Sequence, residues 1–234
     1  KSSISKSMNH SKHSLLFLIL CSSLIGQVNE PNSKLGFGLK VSTYHSVNKE
    51  IKFGGFTHIA FGPGGSEIIT ACTTHRFLYR NNPKESFLES PLSVNRHHSV
   101  IFNPADQLYY ANDTDNHRLI SFSDPSKNEI TAETKEICGI KLKRPHDTVI
   151  DPATGWIYAL NPNSGHIFRF TAIGENESVI KAPTQGYARA LTFANGKLYA
   201  IGSSKGRIVE VVDWEKPRFK VYDSFDPTGR QGAA

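Results

Sequence analysis

The sequence lacks the apolar periodicity that marks an α-helix. Beyond the N-terminal segment, no window of helical length carries apolar residues at a 3.6-residue period. Short runs of β-branched and aromatic residues separated by turn residues occur instead, and they predict an all-β protein. No serine is presented by a strand-to-helix turn, and Gly62-Pro-Gly-Gly65 precedes no helix. A serine nucleophile on a strand-to-helix turn and a glycine-rich phosphate cradle are therefore excluded.

Long hydrophobic runs are also absent. The main apolar stretch begins at Leu15 and ends at Ile25, which is too short to span a bilayer but suits the hydrophobic part of a signal peptide. The only methionine, Met8, precedes this stretch. Residues 1–26 are therefore predicted to hold a few upstream residues and a signal peptide cleaved near Gly26. The protein would then be secreted, without a stable membrane span; the alternative is an uncleaved membrane anchor.

A strong charge of one sign is missing from the predicted mature protein. The full chain carries 27 Lys and Arg against 21 Asp and Glu, a formal net charge of +6. Residues 1–26 hold three of those lysines and no acid, so their removal leaves 24 basic against 21 acidic residues. This near-neutral balance argues against a nucleic-acid partner. The expected partner is an unknown extracellular protein or small molecule.

Cysteine is scarce, and after the N-terminal segment only Cys72 and Cys138 remain. In an oxidising compartment they could pair, or they could stay as two buried free thiols in strands. The segment Asp113-Thr-Asp-Asn116 has the carboxylate spacing of a calcium loop. It lacks the glycine and the distal glutamate of such a loop, so it predicts a turn.

The chain contains a repeat of about 44 residues. Its copies start 41, 48 and 43 residues apart, at Thr57, His98, His146 and Arg189. Each copy has an apolar run, a turn rich in Pro, Asp, Gly or Asn, and further strand-like runs. Equivalent positions of the second strand are assigned to Tyr109, Tyr158 and Tyr199, which would pack between repeats. A period near 44 residues with several short strands per unit is typical of a β-propeller.

The repeats predict four blades, at residues 57–97, 98–145, 146–188 and 189–234. A looser fourth strand is expected at residues 129–137 in the second blade. Residues 27–54 are expected to form a linker and part of a neighbouring blade, and the C-terminal segment to lead into a further blade that is truncated. A complete four-bladed or open ring is the alternative, since propellers have four to eight blades.

The segment from Leu108 to Leu119, Leu-Tyr-Tyr-Ala-Asn-Asp-Thr-Asp-Asn-His-Arg-Leu, resembles the core of an NHL repeat. The later copies keep the skeleton but carry Asn161-Pro-Asn-Ser-Gly165 and Gly202-Ser-Ser-Lys-Gly206 at the turn. The resemblance covers roughly residues 55–225. It implies the six-bladed NHL/TolB-like propeller class, so that about four blades of a six-bladed ring would be present here.

The residue that opens the innermost strand of each copy is the candidate functional position, because these openings converge around the axis of a propeller. The four openings are Thr57, His98, His146 and Arg189. Imidazole is the commonest metal ligand, and arginine pairs with carboxylate or phosphate. We therefore predict a ligand-binding axial rim in which His98 and His146 hold one zinc or calcium ion. A catalytic zinc needs a third protein ligand, from His97, His58 or further blades. Alternatively, the histidines only cap strand starts by bonding backbone carbonyls.

Two strand openings, Pro145-His146-Asp147-Thr-Val and His98-Ser-Val-Ile, resemble those of peptidyl-hydroxyglycine amidating lyases. In those secreted enzymes the opening histidines bind zinc on the axis, but on alternating blades, whereas here they lie on consecutive ones. Two hypotheses follow. The favoured one is a secreted propeller that binds a ligand or a protein without chemistry of its own. The alternative is a secreted metal-dependent enzyme, amidating-lyase-like or lactonase/esterase-like, with an axial site.

Overall fold

The computed structural model describes residues 55–204 and 206–222, and the regular secondary structure of this part of the chain is almost entirely β-strand. Four antiparallel four-stranded sheets follow one another along it, and in each the strands lie side by side in chain order. The predicted all-β propeller fold is therefore confirmed. The predicted signal peptide, the partial blade at 27–54 and the C-terminal segment after residue 222 lie outside the described residues.

Each sheet is one blade. Blade 1 contains β1 (Phe56–Phe61), β2 (Glu67–Ala71), β3 (Arg76–Arg80) and β4 (Leu88–Glu89). Blade 2 contains β5 (Val100–Asn103), β6 (Leu108–Asp113), β7 (Arg118–Phe122) and β8 (Ala132–Thr134). A small hairpin follows, formed by β9 (Glu136–Ile137) and β10 (Ile140–Lys141). Blade 3 contains β11 (Asp147–Ile150), β12 (Ile157–Asn161), β13 (His166–Phe170) and β14 (Ser178–Lys181). Blade 4 contains β15 (Ala188–Ala194), β16 (Lys197–Gly202), β17 (Arg207–Asp213) and β18 (Arg218–Tyr222).

Turn residues set the ends of these strands. Between β15 and β16 the chain reverses through Asn195 and Gly196, at φ 52° and 72°, with Ala194 paired to Lys197. Two consecutive residues at positive φ are the geometry of the turn that matches the twist of a hairpin, and Asn-Gly is its preferred sequence. The reversal of the chain between β15 and β16 therefore follows from the local sequence.

The innermost strands of successive blades lie beside one another, so that β1 contacts β5, β5 contacts β11 and β11 contacts β15. Apolar side chains fill the space between neighbouring blades in three clusters. Phe77 and Phe122 belong to the cluster between blades 1 and 2, and Tyr110 and Phe170 to the one between blades 2 and 3. Each blade thus buries its faces against its neighbours, which a single sheet could not do alone.

A stacked arginine joins blades 3 and 4 on the outer side. The guanidinium carbon of Arg169 lies 4.5 Å from the ring centre of Trp156 and 4.8 Å from that of Trp214. Both Arg169 Nε and Trp214 Nε1 donate hydrogen bonds to Ser178 Oγ, at 3.2 and 3.0 Å. Both tryptophans of the chain therefore contact Arg169 at the junction between blades 3 and 4.

The structure corrects two details of the strand assignment. The segment predicted as one outer strand at residues 129–137 is divided, since only 132–134 join blade 2 and residues 136–137 pair with β10. The strand register also changes which tyrosine of blade 2 is equivalent to those of blades 3 and 4. Ala111, Ala159 and Ala200 face the inner strands at the same level, which makes Tyr110, and not Tyr109, the counterpart of Tyr158 and Tyr199.

Both cysteines after the N-terminal segment are free, Cys72 buried and Cys138 exposed. Neither sequence alternative therefore holds, because the two thiols do not pair and only one of them is buried. Within the described part of the chain, no helix has the length and apolar character needed to cross a bilayer.

Candidate functional site

The four predicted openings lie at the end of the blades where the inner strands begin, which we call the upper face. Thr57 and Arg189 are the second residues of β1 and β15. His98 lies two residues before β5, and His146 lies immediately before β11. Strand register places the four at the same level of their blades. We call this set (Thr57, His98, His146, Arg189) the axial rim.

Direct contacts connect the axial rim from one blade to the next. Thr57 Oγ1 donates a hydrogen bond to the backbone oxygen of His98 at 2.8 Å. The imidazole of His98 stacks on that of His146, with ring centres 4.1 Å apart and planes inclined by 16°. His146 Nδ1 lies 2.9 Å from the backbone oxygen of Arg189. Because a carbonyl oxygen only accepts, Nδ1 carries the proton in that contact and Nε2 of His146 remains an acceptor.

Aromatic and cationic groups extend the rim toward blade 4. The ring of Tyr187 meets that of His146 edge-on, with centres 5.6 Å apart. The guanidinium carbon of Arg189 lies 5.8 Å from the centre of the same tyrosine ring. Arg189 is exposed and makes no ion pair with any residue in the ranges 55–204 and 206–222.

Two further arginines stand beside the rim on equivalent loops. Arg96 and Arg144 both have positive φ, 49° and 54°, and each precedes its opening histidine by two residues. The backbone N–H of Arg96 donates to His75 Nδ1 and that of Arg144 to His117 Nδ1, both at 3.0 Å. The same contact at two successive blade junctions holds these loops in place, so the arginines are positioned by the repeat itself.

Asp115 is the carboxylate among these arginines. One of its oxygens lies 2.9 Å from Arg144 Nη2, and the other lies 3.9 Å from Arg96 Nη1. Both arginine side chains remain about half exposed. In the segment predicted as a turn, Asp113 to Asn116, the first residue ends β6 and the other three lie in the turn before β7. This turn carries Asp115, the acid of the upper face.

Both stacked imidazoles are neutral at physiological pH. The pKa of His98 is lowered to about 4, first by burial and then by nearby positive charges. Those charges belong to Arg96, Arg189 and Arg144. The pKa of His146 is lowered to about 3 by burial, followed by His98 and by the charge of Arg189. The rim is therefore a place of positive potential that contains two uncharged rings.

The stack itself does not have the geometry of a pair of metal ligands. A metal ion lies in the plane of each imidazole that binds it, about 2.0–2.1 Å from the nitrogen. Ring planes inclined by 16° and about 4 Å apart do not meet at that distance, so one ring would have to rotate. Among residues 55–204 and 206–222, no three His, Cys, Asp or Glu side chains are grouped as a metal site requires. The metal role of His98 and His146 stays a prediction.

The two histidines considered as a third ligand have other surroundings. His97 is fully buried and packs on Phe77, with ring centres 4.1 Å apart, and neither of its ring nitrogens makes a hydrogen bond of standard geometry. Burial lowers the pKa of His97 to about 3 and that of His58 to about 4. His97 thus belongs to the packing between blades 1 and 2 and not to the stack.

Sequence analysis missed Asp147, which lies directly beneath the rim. Its carboxylate accepts hydrogen bonds from the backbone N–H groups of Leu191 at 2.7 Å and Thr148 at 2.9 Å, and it bonds the Ser99 side chain. Burial raises its pKa to about 7 despite these bonds. A register shift in β15 next to Leu191 accompanies this contact. An acidic first residue in an apolar strand was the signal that could have identified it.

No protein-family model and no curated protein matches the chain. Solved structures do match, and all of those described below share less than 25% of their residues with it. A chain of a nidogen/laminin complex is 12% identical with a TM-score of 0.57, covering 73% of this chain and 64% of its own. Virginiamycin B lyase from Staphylococcus aureus is 14% identical with a TM-score of 0.59, covering 74% and 57%.

A putative 6-phosphogluconolactonase from Bacteroides uniformis is 20% identical with a TM-score of 0.51, covering 71% of this chain and 53% of its own. The chain thus spans between about half and two thirds of the length of these structures. Identities this low support the β-propeller fold alone. The structures include a protein complex as well as enzymes, so the fold leaves both functional classes open.

Proposed function

We propose that this chain is part of a secreted, six-bladed NHL-like propeller that acts as a binding scaffold and takes its partner on the upper face. The observation that supports the proposal most directly is the continuous axial rim, in which a hydrogen bond, a ring stack and a second hydrogen bond connect four equivalent positions. A rigid ring of packed blades presents such a surface without needing to move. The partner would be an extracellular protein or a small molecule.

The test compares capture of extracellular partners by the wild-type protein and a His98→Ala/His146→Ala double variant. The matched control is Lys216→Ala, which removes an exposed side chain from the turn after β17, at the opposite end of blade 4. We expect the double variant to lose a partner that the wild type and the control both retain. Equal retention by all three folded proteins would contradict a binding role of the rim.

A second candidate is a metal-dependent enzyme with its site at the rim. It is favoured by the adjacency of two neutral imidazoles, since only the neutral ring can coordinate a metal. His98 and His146 would hold the ion after a ring rotation, with a further ligand from outside the described residues. Elemental analysis tests this candidate: about one zinc or calcium ion per chain, lost in the double variant, would support it. Absence of metal from the wild-type protein as purified and after zinc or calcium loading would contradict it.

A further inference from the structure

We propose that the upper face binds a multivalent oxyanion, a phosphate or a dicarboxylate group, between Arg96, Arg144 and Arg189. The inference rests on the proposed function, since it names the chemical class of ligand for the same rim. It is carried by the arrangement of charges around the histidine stack.

Arg189 has the character of a ligand-binding arginine. Its guanidinium is exposed, rests against the Tyr187 ring, and has no carboxylate partner among residues 55–204 and 206–222. Three arginines away from the rim are paired in this way: Arg118 with Asp113, Arg169 with Glu215, and Arg218 with Asp213. A planar guanidinium with free donors matches two oxygens of a carboxylate or phosphate.

Arg96 and Arg144 add to this charge and are held ready. Their loops are fixed by the bonds to His75 and His117, so the backbone needs no rearrangement when a ligand binds. Asp115 neutralises one of the three arginine charges, which leaves an excess of two positive charges at the surface. A divalent anion balances this excess.

The stacked imidazoles of His98 and His146 lie beside these arginines and offer a further contact to the ligand. His146 Nδ1 donates to the backbone oxygen of Arg189, which leaves Nε2 of that ring as an acceptor for a hydroxyl or a protonated oxygen of the ligand. Arg96 and Arg144 share Asp115, and Arg189 lies against the Tyr187 ring, which meets the His146 ring of the stack edge-on. The ligand class that fits is an oxyanion with a neighbouring hydrogen-bond donor.

The experiment titrates the purified protein with inorganic phosphate and, separately, with succinate, at neutral pH and constant ionic strength. The ring C–H NMR signals of His98 and His146 report binding, after assignment with His98→Gln and His146→Gln. We expect saturable shifts with either or both probes and none with sodium chloride. The probe that binds more tightly distinguishes a phosphate from a carboxylate ligand.

Arg189→Gln removes the charge at similar size and is expected to weaken binding about ten- to a hundredfold, the effect of losing a charge-assisted hydrogen bond. Arg144→Gln provides a second variant, should Arg189→Gln fold poorly. The matched control is Arg218→Gln, at an exposed arginine that begins β18, which should bind like the wild type.

Absence of saturable binding of both probes, or equal weakening by Arg218→Gln, would overturn the oxyanion assignment. The proposed function would fail separately. If the wild type loses no partner when His98 and His146 are replaced, the rim is not the binding surface. If Arg189→Gln retains a partner that the His98→Ala/His146→Ala variant releases, the rim binds, but its ligand is not an oxyanion.

Discussion

At the scale of single residues, Asp147 shows how burial can dominate over hydrogen bonding. Its carboxylate accepts from two backbone N–H donors, yet its pKa is raised to about 7. Burial destabilises the charged carboxylate by more than these hydrogen bonds stabilise it. A group whose pKa is higher in the folded than in the unfolded state holds its proton more tightly when folded. Stability is then lost as pH rises from the unfolded pKa to the folded one.

We therefore expect Asp147 by itself to lower the unfolding free energy by a few kcal/mol between about pH 4 and about pH 7. The buried histidines at positions 58, 97, 98 and 146 act in the opposite direction over this range, because their pKa values are lowered in the folded protein. Asp147→Asn has no proton to lose, so its unfolding free energy should rise more steeply with pH over this range than that of the wild type. Its amide cannot accept from both backbone donors, and the variant will be less stable near pH 5. Urea unfolding across this pH range measures both effects.

Asp124→Asn is the matched control for that measurement. Asp124 lies on an exposed turn, where bonds from Ser126 lower its pKa, so its effect on stability falls below the window in which Asp147 titrates. A pH profile of Asp147→Asn parallel to that of the wild type would contradict the contribution assigned to Asp147.

At the scale of elements, equivalent turns between the second and third strands use different residues for the same left-handed backbone conformation. His75 and His117 take positive φ in blades 1 and 2, and Gly165 takes it in blade 3 at φ 69°. A Cβ at Gly165 would lie 2.7 Å from the backbone oxygen of Ala182, which is closer than side chains approach. The tight junction between the turn and the strand end of blade 3 therefore requires glycine.

Gly165→Ala is expected to destabilise the protein by about 2–4 kcal/mol, through left-handed backbone strain and the clash with Ala182. Gly174 is a matched control, since it also has positive φ, 87°, but a Cβ there meets nothing within 4 Å. Gly174→Ala should lower the unfolding free energy by only about 1 kcal/mol, the cost of placing an alanine in the left-handed conformation. Equal losses in chemical denaturation of the two variants would show that the close contact contributes nothing.

The stack of Arg169 between two tryptophans is expected to stabilise the junction of blades 3 and 4. Trp214→Ala should lower the unfolding free energy by about 1–3 kcal/mol, from one cation–π contact and lost apolar burial. Val212→Ala, at an exposed position of β17, is the comparison and should cost less than about 0.5 kcal/mol.

A double-mutant cycle with Arg169→Met separates the stacking from the burial. A coupling energy of about 0.5–2 kcal/mol between positions 169 and 214 is expected. A coupling of zero would mean that Trp214 stabilises the junction by packing alone.

At the scale of the whole molecule, the two cysteines after the N-terminal segment report on folding from two different environments. In a Cys21→Ser background, the exposed Cys138 should react with a thiol reagent in the native protein, whereas the buried Cys72 should react only when its blade unfolds. Burial raises the pKa of both thiols, so the reaction of Cys138 will be slow at neutral pH and faster in mild base.

Peptide mapping of the labelled sites measures this difference. A native-state label on Cys72 at the rate of Cys138, or recovery of a disulfide-linked Cys72–Cys138 peptide, would contradict the packing of blades 1 and 2.

The fold class could be derived from the sequence because it depends on features that repeat. Runs such as Arg118–Phe122 alternate with turn residues at a period near 44, and each run forms the strand that its composition predicts. The equivalence of Thr57, His98, His146 and Arg189 was also visible, since each copy can be aligned with the next. Where a copy has two adjacent tyrosines, at Tyr109 and Tyr110, the pattern could not fix which one faces which side, because a shift of one residue exchanges the faces of a strand.

Contacts between blades were decided only by the tertiary structure. The sequence by itself determined an all-β chain, its blades and the level of the opening residues, because these follow from local periodicity and turn chemistry. It could not determine that His98 stacks on His146, or that Asp147 bonds the next blade. Nor could it determine that Arg144 pairs with Asp115 while Arg189 has no carboxylate partner within the described part of the chain. Those facts depend on side chains about 40 residues apart being brought within a few ångströms, and such long-range distances are set by the packing of whole blades.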